Sequence, residues 1–123
     1  MLRIVGVQRN ESPEREFILL QNQGSMRVNL RGHVLMSEQA LDSGSLYATS
    51  HVFQDDVHIM PSAYVLLFTG CGESRWTRSK EGSNVYQAYM GQDRTIWSRL
   101  EGAIHIMHAH HVFVERDHLI MRR

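Results

Sequence analysis

Short runs of alternating apolar and polar residues, punctuated by Asn, Gly, Ser, Asp and Pro, recur along the whole chain. The runs IVGV (4–7), EFILLQN (16–22), HVLMS (33–37), LYATSHVF (46–53), YVLLFTG (64–70), NVYQAYM (84–90), RTIWS (94–98), GAIHIM (102–107) and HVFVE (111–115) have the length, β-branched or aromatic content and turn boundaries of strands. In NVYQAYM the period of two puts Val85, Gln87 and Tyr89 on one face and Tyr86, Ala88 and Met90 on the other. No window of about 11 residues sustains a helical stripe. The pattern predicts an all-β sandwich or barrel with little helix, because strand-helix-strand units would need amphipathic helices between the strands. The most polar stretch, GESRWTRSKEGSN (72–84), reads as a long surface loop.

Within this pattern the order of certain pieces is more specific. Glu16-Phe17-Ile18-Leu19-Leu20-Gln21-Asn22-Gln23-Gly24, followed by Val28-Asn29-Leu30-Arg31-Gly32-His33-Val34-Leu35, resembles the opening of the lamin tail domain, in which a Glu leads an apolar strand into an Asn-x-Gly turn. Ile59-Met60-Pro61-Ser62-Ala63-Tyr64-Val65-Leu66-Leu67 is similar to that family's Pro-turn-strand segment, and Thr95-Ile96-Trp97 to its late tryptophan strand. The resemblance runs from about residue 4 to residue 107, leaving 108–123 as a divergent carboxyl-terminal extension of a single domain over 1–123. It implies an immunoglobulin-like β-sandwich with an interaction role, protein partners first and DNA second. Departures are His33 where the family has Trp, and Ala103 where an Asp precedes the last apolar strand.

The same residues have physical readings. Asn22 and Gly24 suit a turn with positive φ, which Gly takes without steric cost. Gly32 inside a strand pattern suggests a bulge or close backbone approach, and Pro61 stands where no ladder donor is required. Trp97, Phe17, Tyr64 and Phe68 have apolar neighbours and are expected in the core. Glu16, at the start of a strand, is expected at the surface or paired.

Composition narrows the partners. The chain of 123 residues is long enough for one core without staples, and its 13 basic and 13 acidic residues cancel, so bulk charge does not recruit nucleic acid or an anionic membrane. All basic residues but Lys80 are arginine, which brings planar, stacking forks. The single cysteine, Cys71, excludes an internal disulfide and favours the cytoplasm. No signal-peptide core or membrane-spanning run is present in the sequence, so a soluble chain is expected.

Candidate chemistry concentrates in HIMHAHHVF (105–113), which carries His105, His108, His110 and His111. On a strand, His108 and His110 share a face with Ile106 and Val112, and such a His-x-His pair can hold Zn or Cu if Asp55, Asp56, His58 or Asp117 completes the set. The plainer reading is a strand whose histidines are half exposed or bonded to one another. Arg75, Trp76, Arg78 and Lys80 join cations to an aromatic and suit stacking on bases and phosphate contact, although Glu73 and Glu81 flank them. Cys71, between two glycines, reads as a turn residue, and Asp42-Ser43-Gly44-Ser45 as a loop lacking the glycine lead of a nucleophile elbow.

No P-loop, dinucleotide fingerprint, paired zinc cysteines or triad appears, and no cofactor is implied apart from Zn or Cu at the histidines. The sequence therefore points to a non-catalytic immunoglobulin-like module that binds a protein or itself. A metal-dependent protein centred on His105–His111 is the alternative, and nucleic-acid binding through 75–80 carries less weight.

Overall fold

A computed structural model describes residues 1–38, 50–99 and 102–108. Among the described residues ten strands are present: β1 (Leu2–Gln8), β2 (Phe17–Asn22), β3 (Val28–Asn29), β4 (His33–Ser37), β5 (Ser50–Val52), β6 (His58–Ile59), β7 (Tyr64–Phe68), β8 (Arg75–Arg78), β9 (Asn84–Tyr89) and β10 (Ile104–His108). They form a five-stranded sheet in the order β1-β2-β7-β9-β8, a three-stranded sheet β10-β4-β5, and the small pair β3-β6. The expected all-β class is what the chain adopts. Among the described residues no helix is long and apolar enough to cross a membrane.

Alternation explains which side chains meet. Ile18 and Leu20 of β2, Val65 and Leu67 of β7, and Tyr86 and Ala88 of β9 turn inward from the large sheet. They meet Leu35 of β4, Ile59 of β6, and Leu30, Phe53 and Trp97 from the connections, so all three sheets contribute to one core. Each fully buried aliphatic side chain there contributes roughly 1.5–3 kcal/mol relative to exposure. In β1 the register slips between Ile4 and Gly6, so that Ile4 pairs with the inward Leu20 but Gly6 with the outward Leu19. This bulge lets Leu2 and Ile4 pack on the core while the rest of β1 turns its edge.

Two expectations about elements are corrected. The 72–84 stretch is a strand and a tight turn, not a loop: β8 pairs antiparallel with β9, and Ser79 N–H donates to the Ser83 carbonyl (2.9 Å) while Gly82 N–H donates to the Ser79 carbonyl (3.0 Å). Its charges misled because an edge strand tolerates them, whereas Trp76 and Thr77 supply the β-preference. Conversely, RTIWS is not a strand: Trp97–Arg99 forms a 3-10 turn. Three consecutive backbone N–H groups there point at a single carboxylate, which an extended chain, with its N–H groups alternating in direction, cannot do.

The turn residues also differ from expectation. Neither Asn22 nor Gly24 has positive φ. Asn22 is instead a buried hub: its Oδ1 accepts from the backbone nitrogens of Met1 (3.0 Å) and Gly24 (2.9 Å), and its Nδ2 donates to the carbonyls of Met26 and Ile59 (both 2.9 Å). Gly24 is required by proximity, since a Cβ there would lie 2.6 Å from the Met1 nitrogen. Gly32 does take positive φ, 89°, in the turn that precedes β4 rather than within the strand.

Candidate functional site

The three inner strands of the five-stranded sheet, β2, β7 and β9, carry apolar side chains on their outward side as well as their inward side. Inward Tyr86 and Ala88 leave Val85, Gln87 and Tyr89 facing out, as the period of two predicts, and register carries that face across the neighbouring strands. Phe17, Phe68 and Tyr89 lie side by side on β2, β7 and β9. Phe17 meets Phe68 edge-on with centroids 5.9 Å apart, and Phe68 stacks on Tyr89 at 5.4 Å and 17°. The next row is Leu19, Leu66 and Gln87, and the next Gln21, Tyr64 and Val85. Phe17, Tyr64 and Phe68 are therefore not core residues, as their apolar neighbours had suggested, but the half-buried floor of an outward face. Trp97 alone of that group is fully buried in the core.

The β8–β9 turn walls this face on one side. A trough of about 560 Å³ runs between the floor of Phe17, Leu19, Tyr64 and Leu66 and a rim that includes Thr77 and Ser83. Val85, outward-facing yet only 8% exposed, is covered by this arrangement. A sheet with one face on a core and the other in water ordinarily presents polar residues outward, so an apolar outward face marks a surface built to be covered.

The basic cluster is divided by β8. Arg75 pairs with the outward Gln87, and its Nε donates to the Gln87 side-chain oxygen at 3.3 Å. Trp76 pairs with the inward Tyr86 and tilts against its ring at 5.3 Å, remaining 46% exposed. Arg78 ends the strand opposite Asn84, and Lys80 is exposed in the turn. Arg75 and Trp76 thus emerge on opposite sides of the sheet.

The histidine run is a strand as far as it is described. Ile104 and Ile106 of β10 pack on the core, and His108 follows in the same alternation. His108 pairs with His33 of β4, and their rings stack in parallel, centroids 4.1 Å apart and 4° between planes. His33 is buried, with Nδ1 3.0 Å from the Leu30 carbonyl oxygen. Burial pushes its pKa down and the neighbouring His108 adds to that, while the hydrogen bond at Leu30 opposes them. His110 and His111 lie outside the described residues, as do Asp117 and the 42–45 loop. Asp55 accepts the Tyr86 hydroxyl (2.8 Å) and Asp56 the Asn29 amide (2.7 Å). Among the described residues no three His, Cys, Asp or Glu side chains are grouped as a metal would need. Cys71 is exposed and follows β7.

The polar centre that sequence reading missed is Glu16. Far from the surface, it is fully buried, and its carboxylate accepts from Thr69 Oγ1 (2.7 Å) and from the backbone N–H groups of Ile96 (2.8 Å), Trp97 (3.1 Å) and Ser98 (2.7 Å). Burial raises its pKa, but the four donors together outweigh burial and hold the carboxyl below its ordinary value. Arg9 ties the same segment from outside, donating to the carbonyls of Trp97 (3.0 Å) and Gly102 (3.2 Å). Glu16 is a fastener: three of the protein's own donors converge on its Oε1 and one on its Oε2, binding the carboxylate to the 96–98 turn and to Thr69.

Compared with models of protein families, with curated proteins and with solved structures, the chain matches none.

Proposed function

We propose that this chain is a non-catalytic interaction module on an immunoglobulin-like β-sandwich of the lamin tail type, and that it works by self-association through the outward face of its five-stranded sheet. The fold reading is supported by the order of the sequence pieces and by two larger sheets contributing to a common core. The observation that carries the function is the outward apolar face itself: Phe17, Leu19, Tyr64, Leu66, Phe68 and Tyr89 stand half-buried in register over three adjacent strands. Such a face is self-complementary across a two-fold axis, where aromatic rows can interdigitate. Balanced charge places no net repulsion between two copies.

Sedimentation velocity over about 10–500 µM protein tests this. A dimer is expected, and Leu66→Lys, which puts a charge at the centre of the face, should weaken it by about 10- to 100-fold. A parent protein that stays monomeric throughout would refute self-association. Nucleic-acid contact has less support, because Arg75 and Trp76 emerge on opposite sides of the sheet.

A further inference from the structure

A second surface opens where the two larger sheets part and borders the outward face at Arg3, whose register partner is Gln21. The edge strand β1 of one sheet and the edge strand β10 of the other flank a cleft of about 720 Å³, within the usual range for small-ligand sites. Its apolar lining is aliphatic: Leu2, Ile4, Val28, Ile104 and Ile106 are among the residues that face it. Leu2 belongs to the core, and the other four are partly buried and pack against it, so the cleft is a side entrance to the core. An aliphatic chain lying there would extend that core and remove the remaining exposed surface of these side chains from water.

The polar lining is one-sided. Among the described residues Arg3, His33, His105 and His108 contribute to the wall and no Asp or Glu does. Arg3 and His108 are exposed, on the two strands that flank the cleft. The His105 Nε2 atom is buried and has no hydrogen-bond partner. An arginine fork beside an aliphatic floor, with imidazoles that can donate a hydrogen bond, forms the complement of a carboxylate attached to a hydrocarbon, whereas an ammonium head would meet the like charge of Arg3.

We infer that the β1/β10 cleft binds an aliphatic carboxylate, its chain on Ile4, Ile104 and Ile106 and its carboxylate held by Arg3 and His108. The probe is decanoate, with decylammonium as its charge-reversed counterpart, titrated separately into the full chain while backbone amide shifts are followed by NMR. Decanoate should shift the amides of β1 and β10 saturably, decylammonium should not, and Arg3→Glu and His108→Glu should each weaken decanoate binding by about 10-fold or more. Both changes are at exposed positions, and the dispersion of each free variant's spectrum reports whether it has folded. Equal response to both amphiphiles, shifts elsewhere or none, or parent-like binding by the folded variants would overturn the inference. Leu66→Lys, which breaks the outward face, should bind decanoate as the parent does, so the two readings fail separately.

Discussion

Glu16 and His33 are both buried ionisable side chains, each at the start of a strand, yet they solve burial in opposite ways. Glu16 stays charged because four donors converge on it. His33 is held towards its neutral form by burial beside a second imidazole. The first arrangement fastens a distant segment and depends on its four donors; the second leaves a polar ring inside an apolar wall at small cost, because it carries no charge there. A buried charge is therefore a point of high leverage in this fold, and a buried neutral imidazole is not.

The largest effect should come from removing the charge. Glu16→Ala strands Thr69 Oγ1 and three backbone N–H groups in the core and should cost about 3–5 kcal/mol in urea unfolding. If the loss were below about 1 kcal/mol, the fastener would carry little of the fold. Asn22→Ala removes four hydrogen bonds of a neutral hub and should cost less, about 2–3 kcal/mol. Thr69→Val takes only one donor from Glu16 and should cost about 1–2 kcal/mol. The ordering of the three variants, measured by one method, checks whether charge or bond count sets the penalty.

A pH series separates the two side chains more finely. Glu16 has a folded pKa below its ordinary 4.5, so below 4.5 the unfolded chain binds more protons. Its contribution is present above that pH and is lost as pH falls through the folded pKa. His33 has a folded pKa below its ordinary 6.5, so its contribution is whole above 6.5 and declines as pH falls from there. His51, also pushed down by burial, has the same sign, with Asp55 opposing the shift. Unfolding midpoints should thus fall as pH drops below about 7, through the two histidines, and fall further below about pH 4.5, through Glu16. His33→Phe, which keeps a ring against His108, should reduce the first fall to what His51 supplies and leave the second intact. A second fall that also vanished would tie the acid transition to the imidazoles. The smallest effect concerns metal: chelation should leave the midpoint unchanged, measured with elemental analysis, whereas one zinc or copper per chain would establish a centre at His108 and His110.

Much of the large sheet was legible because its strands obey a simple period. Inward Ile18, Leu20, Val65, Leu67, Tyr86 and Ala88 alternate with outward partners, and the runs around them are close to β2, β7 and β9. The face to which the outward aromatics belong was not legible: Phe17 and Phe68 look like core residues until register shows Ile18 and Leu67 already filling that side. Strand β8 was hidden by its arginines. The Trp97 turn was hidden because its cause lies 81 residues away, in Glu16. The resemblance did place a Glu at the head of this strand, and four donors with one target were the information it lacked. His33 and His108 were both visible, but only the pairing of β4 with β10 stacks them.

The parallel pairing of β7 with β9 sets an order of assembly. Strand β9 inserts between β7 and β8, so the chain leaves β7, lays down the sheet's outer strand first, and then returns to fill the gap. A short turn joins β8 to β9, and a hairpin of that kind closes in about 1–10 µs, whereas joining β9 to β7 closes a longer excursion. The hairpin should therefore be made as a unit and dock sideways, bringing Val85 and its covering turn to the sheet together. Slow folding would then report docking, and a substitution that weakens the 79–83 turn would retard it more than one at the far end of β1.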